Sequence, residues 1–134
     1  MNMQTVNDTL VLRKEDYELV MAYLKGKFGK TLFDRQNAEA MEIELSKARV
    51  VGSEEFPSTA IGINTKVKIL DDDRNKVIEL VLVTPDKADI SKNKVSILAP
   101  IGVALLGSRK GERVNWKMPS GNKSFTIMEV WNQV

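Results

Sequence analysis

The sequence predicts an α+β fold, an N-terminal antiparallel helical hairpin (a short coiled coil) followed by an antiparallel β-sheet domain with one short helix. Three observations predict it. Before residue 50, apolar residues recur at helical spacing. After residue 60 they fall into short alternating or continuous runs closed by turn residues. Between them lies GSEEFPSTA, residues 52–60, with the glycine, proline and serine of a linker. The expected division is 1–52 for the hairpin and 53–134 for the sheet domain.

The elements follow in order. Tyr17, Val20, Met21, Leu24 and Phe28 share one face of a helix expected over 13–25, and Gly26 and Gly29 end it. Ala38, Met41, Leu45 and Ala48 make a second stripe, giving a helix over 32–50, with Thr31 and Asp34 as a weak capping pair. A short connection makes the two helices antiparallel. TKVKIL at 65–70 alternates, the acidic run Asp71-Asp72-Asp73-Arg74 turns, and VIELVLV at 77–83 reads as a buried strand. TPDKADISKN at 84–93 is a polar loop, and KVSIL at 94–98 a third strand. Pro100 opens a short helix at 100–106, where its missing N–H is harmless, and Gly107 stops it. Strands at 112–118 and 123–131 close a hairpin over Pro119-Ser120-Gly121-Asn122.

Composition narrows the function. The 134 residues are 43% hydrophobic and 28% charged, enough for a packed core. With no histidine and no cysteine, disulfides and thiolate chemistry are excluded, and zinc or histidine-based hydrolysis loses its usual ligands and base. The formal charge of +2 does not argue for direct nucleic-acid binding. No apolar run reaches membrane-span length and no signal peptide is evident, so a cytoplasmic protein without a membrane partner is expected.

The most informative stretch begins at Pro100. PIGVALLG, a basic turn, and then KGERVNWKMPSGNKSFTIMEV stand in an order that resembles the C-terminal domain of the GreA/GreB transcription elongation factor family. The matching pieces are Pro100-Ile101-Gly102, Ala104-Leu105-Leu106-Gly107, Gly111-Glu112, Val114, Pro119-Ser120-Gly121, Phe125-Thr126-Ile127 and Val130. Ala99 replaces the family's usual serine. That Ala-Pro, with the short helices upstream, is closer to the Rnk type, the regulator of nucleoside diphosphate kinase. The resemblance implies an FKBP-like sheet domain and a protein partner, bacterial RNA polymerase, bound near the rim of its secondary channel. Nucleic acid would be met only indirectly.

Leu98, Ala99, Pro100 and Ile101 are the expected polymerase contacts, an apolar corner at a rigid helix start. Val103, Leu105 and Leu106 read as core. The hairpin tip, by the same resemblance, carries two acidic residues in cleavage-stimulating members, which help hold a catalytic magnesium. Here Phe33 and Gln36 occupy those positions, and Asp34 is displaced by one residue, about 100° around a helix. Lys25, Lys27, Lys30 and Arg35 make the tip region basic, and a helix of about 13 residues reaches only about 20 Å. The expectation is a binding protein that is not an enzyme and needs no cofactor or metal.

Asp71-Asp72-Asp73 lacks the glycine and distal glutamate of a calcium loop and reads as a solvated turn. Trp116 and Trp131 read as strand packing. Two other functions remain: a helical-hairpin interaction module or homodimeric adaptor, and a peptidyl-prolyl isomerase, which a chain only 6% aromatic supports poorly. The expected state is a monomer or weak homodimer.

Overall fold

Two short strands that the sequence pattern does not announce hold the base of the helical region. In the computed structural model, which describes residues 10–25, 39, 42–43, 45–118 and 121–132, β1 (Val11–Arg13) runs directly into α1 (Lys14–Lys25). Helical residues recur at 39, 42–43 and 45–47, and β2 (Arg49–Val51) then lies parallel to β1, with Leu12 opposite Val50. The predicted second helix over 32–50 therefore ends earlier, because Arg49 and Val50 extend to pair with β1. Arg49 N donates to Leu10 O at 2.7 Å.

α1 forms where predicted. Glu15 and Asp16 occupy its first turn, where acidic groups suit the helix dipole. Its stripe also faces as predicted: Val20 is fully buried, and Tyr17, Met21 and Leu24 pack around the core. Leu12, Val20 and Leu45 share one cluster with Ile61 and with sheet residues such as Val67 and Leu82. Phe28, Ala38 and Met41 of the predicted stripes lie outside the described residues.

The main sheet comprises β3 (Thr65–Asp71), β4 (Lys76–Val83), β5 (Lys94–Ser96), β6 (Arg113–Met118) and β7 (Gly121–Asn132), in the order β5-β4-β3-β7-β6. The β3–β4, β3–β7 and β6–β7 pairs are antiparallel, as expected. β5 departs from the expected antiparallel sheet, because it runs parallel to β4. Residues 84–93 allow this: ten residues with two 3₁₀ turns are long enough to carry the chain back to the start of a parallel neighbour.

β3 alternates perfectly, with Val67 and Ile69 inward and Lys66 and Lys68 outward. β7 begins in matching phase, burying Phe125 and Ile127. An extra residue in β7, Met128, opposite the step from Lys68 to Ile69, then shifts the register, so that Val67 pairs with Val130. This returns Val130 to the core side and puts Trp131 opposite Lys66 on the outer face. α2 (Pro100–Leu105) covers the inner face and buries Ile101 and Leu105.

Gly107 joins the two parts of the fold. Its φ of 85° is left-handed. Its N–H donates to Ile61 O at 2.9 Å, and its carbonyl accepts from Val11 N at 3.2 Å.

Candidate partner-docking corner

The predicted corner is built by packing that leaves the backbone little freedom. Ser96 ends β5, and its Oγ accepts from Leu98 N at 3.0 Å while its carbonyl accepts from Ala99 N at 3.0 Å. Ala99 takes an extended conformation and Pro100 starts α2, so the turn enters the helix with φ preset. Val103 N then donates to Ala99 O at 2.9 Å. Gly102 sits directly on the turn: a Cβ there would lie 2.1 Å from Ser96 O. The absence of a side chain is what brings the helix against β5.

Leu98, Ala99 and Pro100 are partly exposed, and Leu98 also packs on the core. Ile101, expected beside them, is only 7% exposed and belongs to the core cluster. At Pro100 the side chain still looks outward, and one residue later the helix turns the next side chain under the sheet. The accessible corner is therefore Leu98 to Pro100. Of the three α2-region residues read as core, Leu105 and Leu106 are buried and Val103 is partly so.

Lys27, Lys30, Asp34 and Arg35 lie outside the described residues, as do Phe33, Gln36 and the turn residues Pro119 and Ser120. Lys25 is the last residue of α1.

The acidic turn is not simply solvated. Asp71 is buried at 3% exposure, and its Oδ1 accepts from Asp73 N at 3.0 Å and Arg74 N at 3.2 Å. Asp72 receives Arg113 Nε at 2.8 Å and Thr126 Oγ1 at 2.9 Å. Only Asp73 stands free in water, as read from the sequence. The carboxylates are consumed by the turn and the neighbouring strands, and no group of metal-ligating residues occurs among the described residues. Trp131 is 43% exposed, with Lys66 Nζ 5.5 Å from its ring centroid. This is cross-strand packing of the expected kind, on the outer face of the sheet.

Sequence reasoning missed two polar contacts that set the base of the helical region. Arg13 Nε donates to Asp16 Oδ2 at 3.0 Å and Nη2 to Ile63 O at 3.1 Å, with the guanidinium 4.8 Å from the Phe56 ring centroid. Ile63 N donates to the same Asp16 oxygen at 3.3 Å. Burial pushes the Asp16 carboxyl above its ordinary value, against the pull of Arg13. Ten residues along α1, Tyr23 Oη donates to Asp86 Oδ1 at 2.5 Å. That bond, first among several causes, holds Asp86 below the ordinary carboxylate range. The only sequence signal for these was Arg13 and Asp16 at i,i+3 spacing where a helix begins.

Comparison with known proteins agrees with this architecture. The family "Transcription elongation factor, GreA/GreB, C-term" matches residues 57–132. The "Regulator of nucleoside diphosphate kinase" of Escherichia coli is 36% identical over 84 residues, 63% of this chain and 62% of that protein. A "Transcription elongation factor GreA" from Thermodesulfovibrio yellowstonii is 30% identical over 101 residues, 75% of this chain and 64% of that one. The chain thus spans less than two thirds of the length of these curated relatives. Among solved structures, a "Prokaryotic transcription elongation factor GreA/GreB from Nitrosomonas europaea" superposes with a TM-score of 0.74 at 31% identity, covering 92% of this chain and 98% of that one. With the family match covering more than half of its residues, the chain belongs to the GreA/GreB transcription elongation factor family.

Proposed function

We propose that this protein is a bacterial transcription regulator of the GreA/GreB/Rnk type that binds RNA polymerase at the rim of the secondary channel and does not stimulate transcript cleavage. In this reading residues 53–134 form an FKBP-like anchoring domain, and residues 1–52 a short helical hairpin placed at the channel mouth. The protein acts in the cytoplasm by occupying a site and excluding other factors, without a cofactor or chemistry of its own.

The observation that carries the reading is the Leu98–Pro100 corner. It combines partly exposed apolar side chains with a backbone fixed by Ser96 and by the close seat of Gly102. A preordered apolar corner loses little entropy on docking. Family membership supplies the partner class. Phe33 and Gln36, in place of the family's acidic pair, support binding without cleavage, since neither carries a carboxylate for magnesium.

A second reading, a helical interaction module or homodimeric adaptor, draws on Leu19 and Ile43, which are 40% and 55% exposed. Sedimentation of the free protein separates the two, because the adaptor requires a defined oligomer and no polymerase complex.

The direct test is binding to purified core RNA polymerase, with and without a competing cleavage factor, for wild type and Pro100→Asp. Binding that the competitor displaces and Pro100→Asp abolishes supports rim docking. Unchanged binding of the variant overturns the corner, and stimulated cleavage in stalled elongation complexes overturns the non-catalytic assignment.

A further inference from the structure

Ser96 ends β5 opposite Val83, between Val95 and the fully buried Ile97. Its hydroxyl serves the turn that follows rather than the strand. Ser96 Oγ accepts from Leu98 N, two residues on, at 3.0 Å. A serine used in this way closes a local turn with its side chain.

The residues on either side of Leu98 are held by main-chain bonds. Ile97 N donates to Val83 O at 2.8 Å, and the Ile97 side chain is part of the core cluster. Ala99 N donates to Ser96 O at 3.0 Å, and Ala99 O accepts from Val103 N at 2.9 Å in the first turn of α2. Any residue at position 96 would keep these bonds, because they use only its carbonyl. Leu98 differs. Among the described residues its amide has no partner but the Ser96 hydroxyl. One side-chain oxygen therefore fixes the backbone from which the partly exposed leucine leaves the corner.

We propose that Ser96 is a positioning residue for polymerase docking: its hydroxyl holds the Leu98 backbone so that the leucine side chain is presented in its binding orientation before contact. This inference rests on the polymerase-binding reading above. Ser96 acts through Leu98 and is not itself a contact. A corner without the hydroxyl must order the backbone at residue 98 during docking, and that entropy is lost from the affinity. Ala99 and Pro100 stay in place without it, since α2 and the Ser96 carbonyl hold them.

The experiment measures affinity of the full chain for core RNA polymerase in wild type, Ser96→Ala, Ser96→Thr, Leu98→Ala, the Ser96→Ala/Leu98→Ala double variant and Pro100→Asp. A thermal melt and the exchange rate of the residue-98 amide are recorded for each free protein. Ser96→Ala is expected to weaken binding at least about fivefold, the effect of leaving one residue's backbone to be ordered on docking. It should also quicken exchange at residue 98. Ser96→Thr keeps an acceptor oxygen and should restore both readouts. In the Leu98→Ala background, Ser96→Ala should cost no more than about twofold, because the hydroxyl works through the leucine. Wild-type affinity in Ser96→Ala overturns the inference, as does a lowered melt that accounts for the whole loss of binding. A Ser96→Thr chain that binds as poorly as Ser96→Ala also overturns it, and so does a full additive loss in the double variant, which would make Ser96 a contact in its own right. If Pro100→Asp still loses binding in any of these cases, the rim-docking reading survives alone. A wild-type chain that does not bind polymerase overturns both.

Discussion

Arg13 and Asp16 meet at 3.0 Å in a pocket that also takes both backbone groups of Ile63, so one ion pair joins the start of α1 to the entrance of the main sheet. Gly62 lines that pocket, and a Cβ there would fall 2.5 Å from Arg13 Nη2 and 2.7 Å from Asp16 Oδ2. The Asp16 side chain is 10% exposed and Arg13 19%. Removing one partner leaves the other desolvated and unpaired. Arg13→Met is therefore expected to cost about 3 kcal/mol in urea unfolding, the range for breaking a buried pair. A loss below about 0.5 kcal/mol would show that water reaches Asp16 freely.

The same pocket fixes a pH dependence. Burial raises the folded-state pKa of Asp16 above its ordinary 3.8, so the folded chain holds that proton more tightly than the unfolded chain. The stability due to this shift is fully present below 3.8 and is lost as pH rises through the folded value. Asp16→Asn removes the titration. Melts of both proteins across the acidic range should show wild type losing ground to the variant as pH rises through that window. A gap that moves the other way would mean that Arg13 outweighs desolvation.

Gly107 carries a conformational demand that alanine meets poorly. Its φ of 85° is left-handed, and a Cβ would lie 2.9 Å from Leu10 Cβ. Left-handed backbone costs an L-residue about 1–2 kcal/mol, and the contact adds to it. Gly107→Ala should lower unfolding stability by at least that amount. Because the Val11 amide donates to Gly107 O and the residue-107 amide donates to Ile61 O, hydrogen exchange at those two amides should quicken more than at Ile127.

Asp71 and Asp73 are neighbours in sequence with opposite expected sensitivities. Asp71→Ala removes a buried carboxylate that accepts two part-buried backbone N–H groups of the turn, a loss of about 1–3 kcal/mol. Asp73→Ala touches an exposed side chain and should stay within about 0.5 kcal/mol. Chemical denaturation of the pair settles the comparison, and equal effects would contradict the buried cap.

These contrasts mark where the sequence was legible. The stripe of Val20, Met21 and Leu24, the alternation of β3 and the Pro100–Gly107 helix are local patterns, each decided by residues a turn or a strand apart. β1 and β2 escaped because each has three residues and finds its partner across 35 intervening positions. No periodicity survives at that length. β5 was placed correctly, but its parallel direction depends on how residues 84–93 travel, which composition does not encode. Three consecutive aspartates look alike in a sequence. Asp71 is buried because Lys123 and Phe125 of β7 close over it, a tertiary fact. One residue of helical rotation turns Ile101 into the core, while Leu98, Ala99 and Pro100 stay partly exposed.

Tyr23 and Asp86 supply the last test, because one hydrogen bond there shifts two titrations in opposite directions. The phenol is held above its ordinary 10.0 by Asp86, and the carboxylate below its ordinary 3.8 by the phenol. For the carboxylate, the linked stability is present above 3.8 and is lost as pH falls through the lowered value. For the phenol, it is present below 10.0 and is lost as pH rises through the raised value. The advantage of wild type over Tyr23→Phe should therefore be greatest between these limits and shrink at both ends. NMR titration gives a sharper readout, in which the Asp86 carboxyl moves up toward 3.8 in the variant. Since this bond ties the tenth residue of α1 to the β4–β5 loop, Tyr23→Phe should also quicken amide exchange at the end of α1 while β3 stays protected. An Asp86 titration unchanged by the substitution would mean that Thr84, not Tyr23, sets the carboxylate, and that α1 is held by its apolar face and by the Arg13–Asp16 pair at its start.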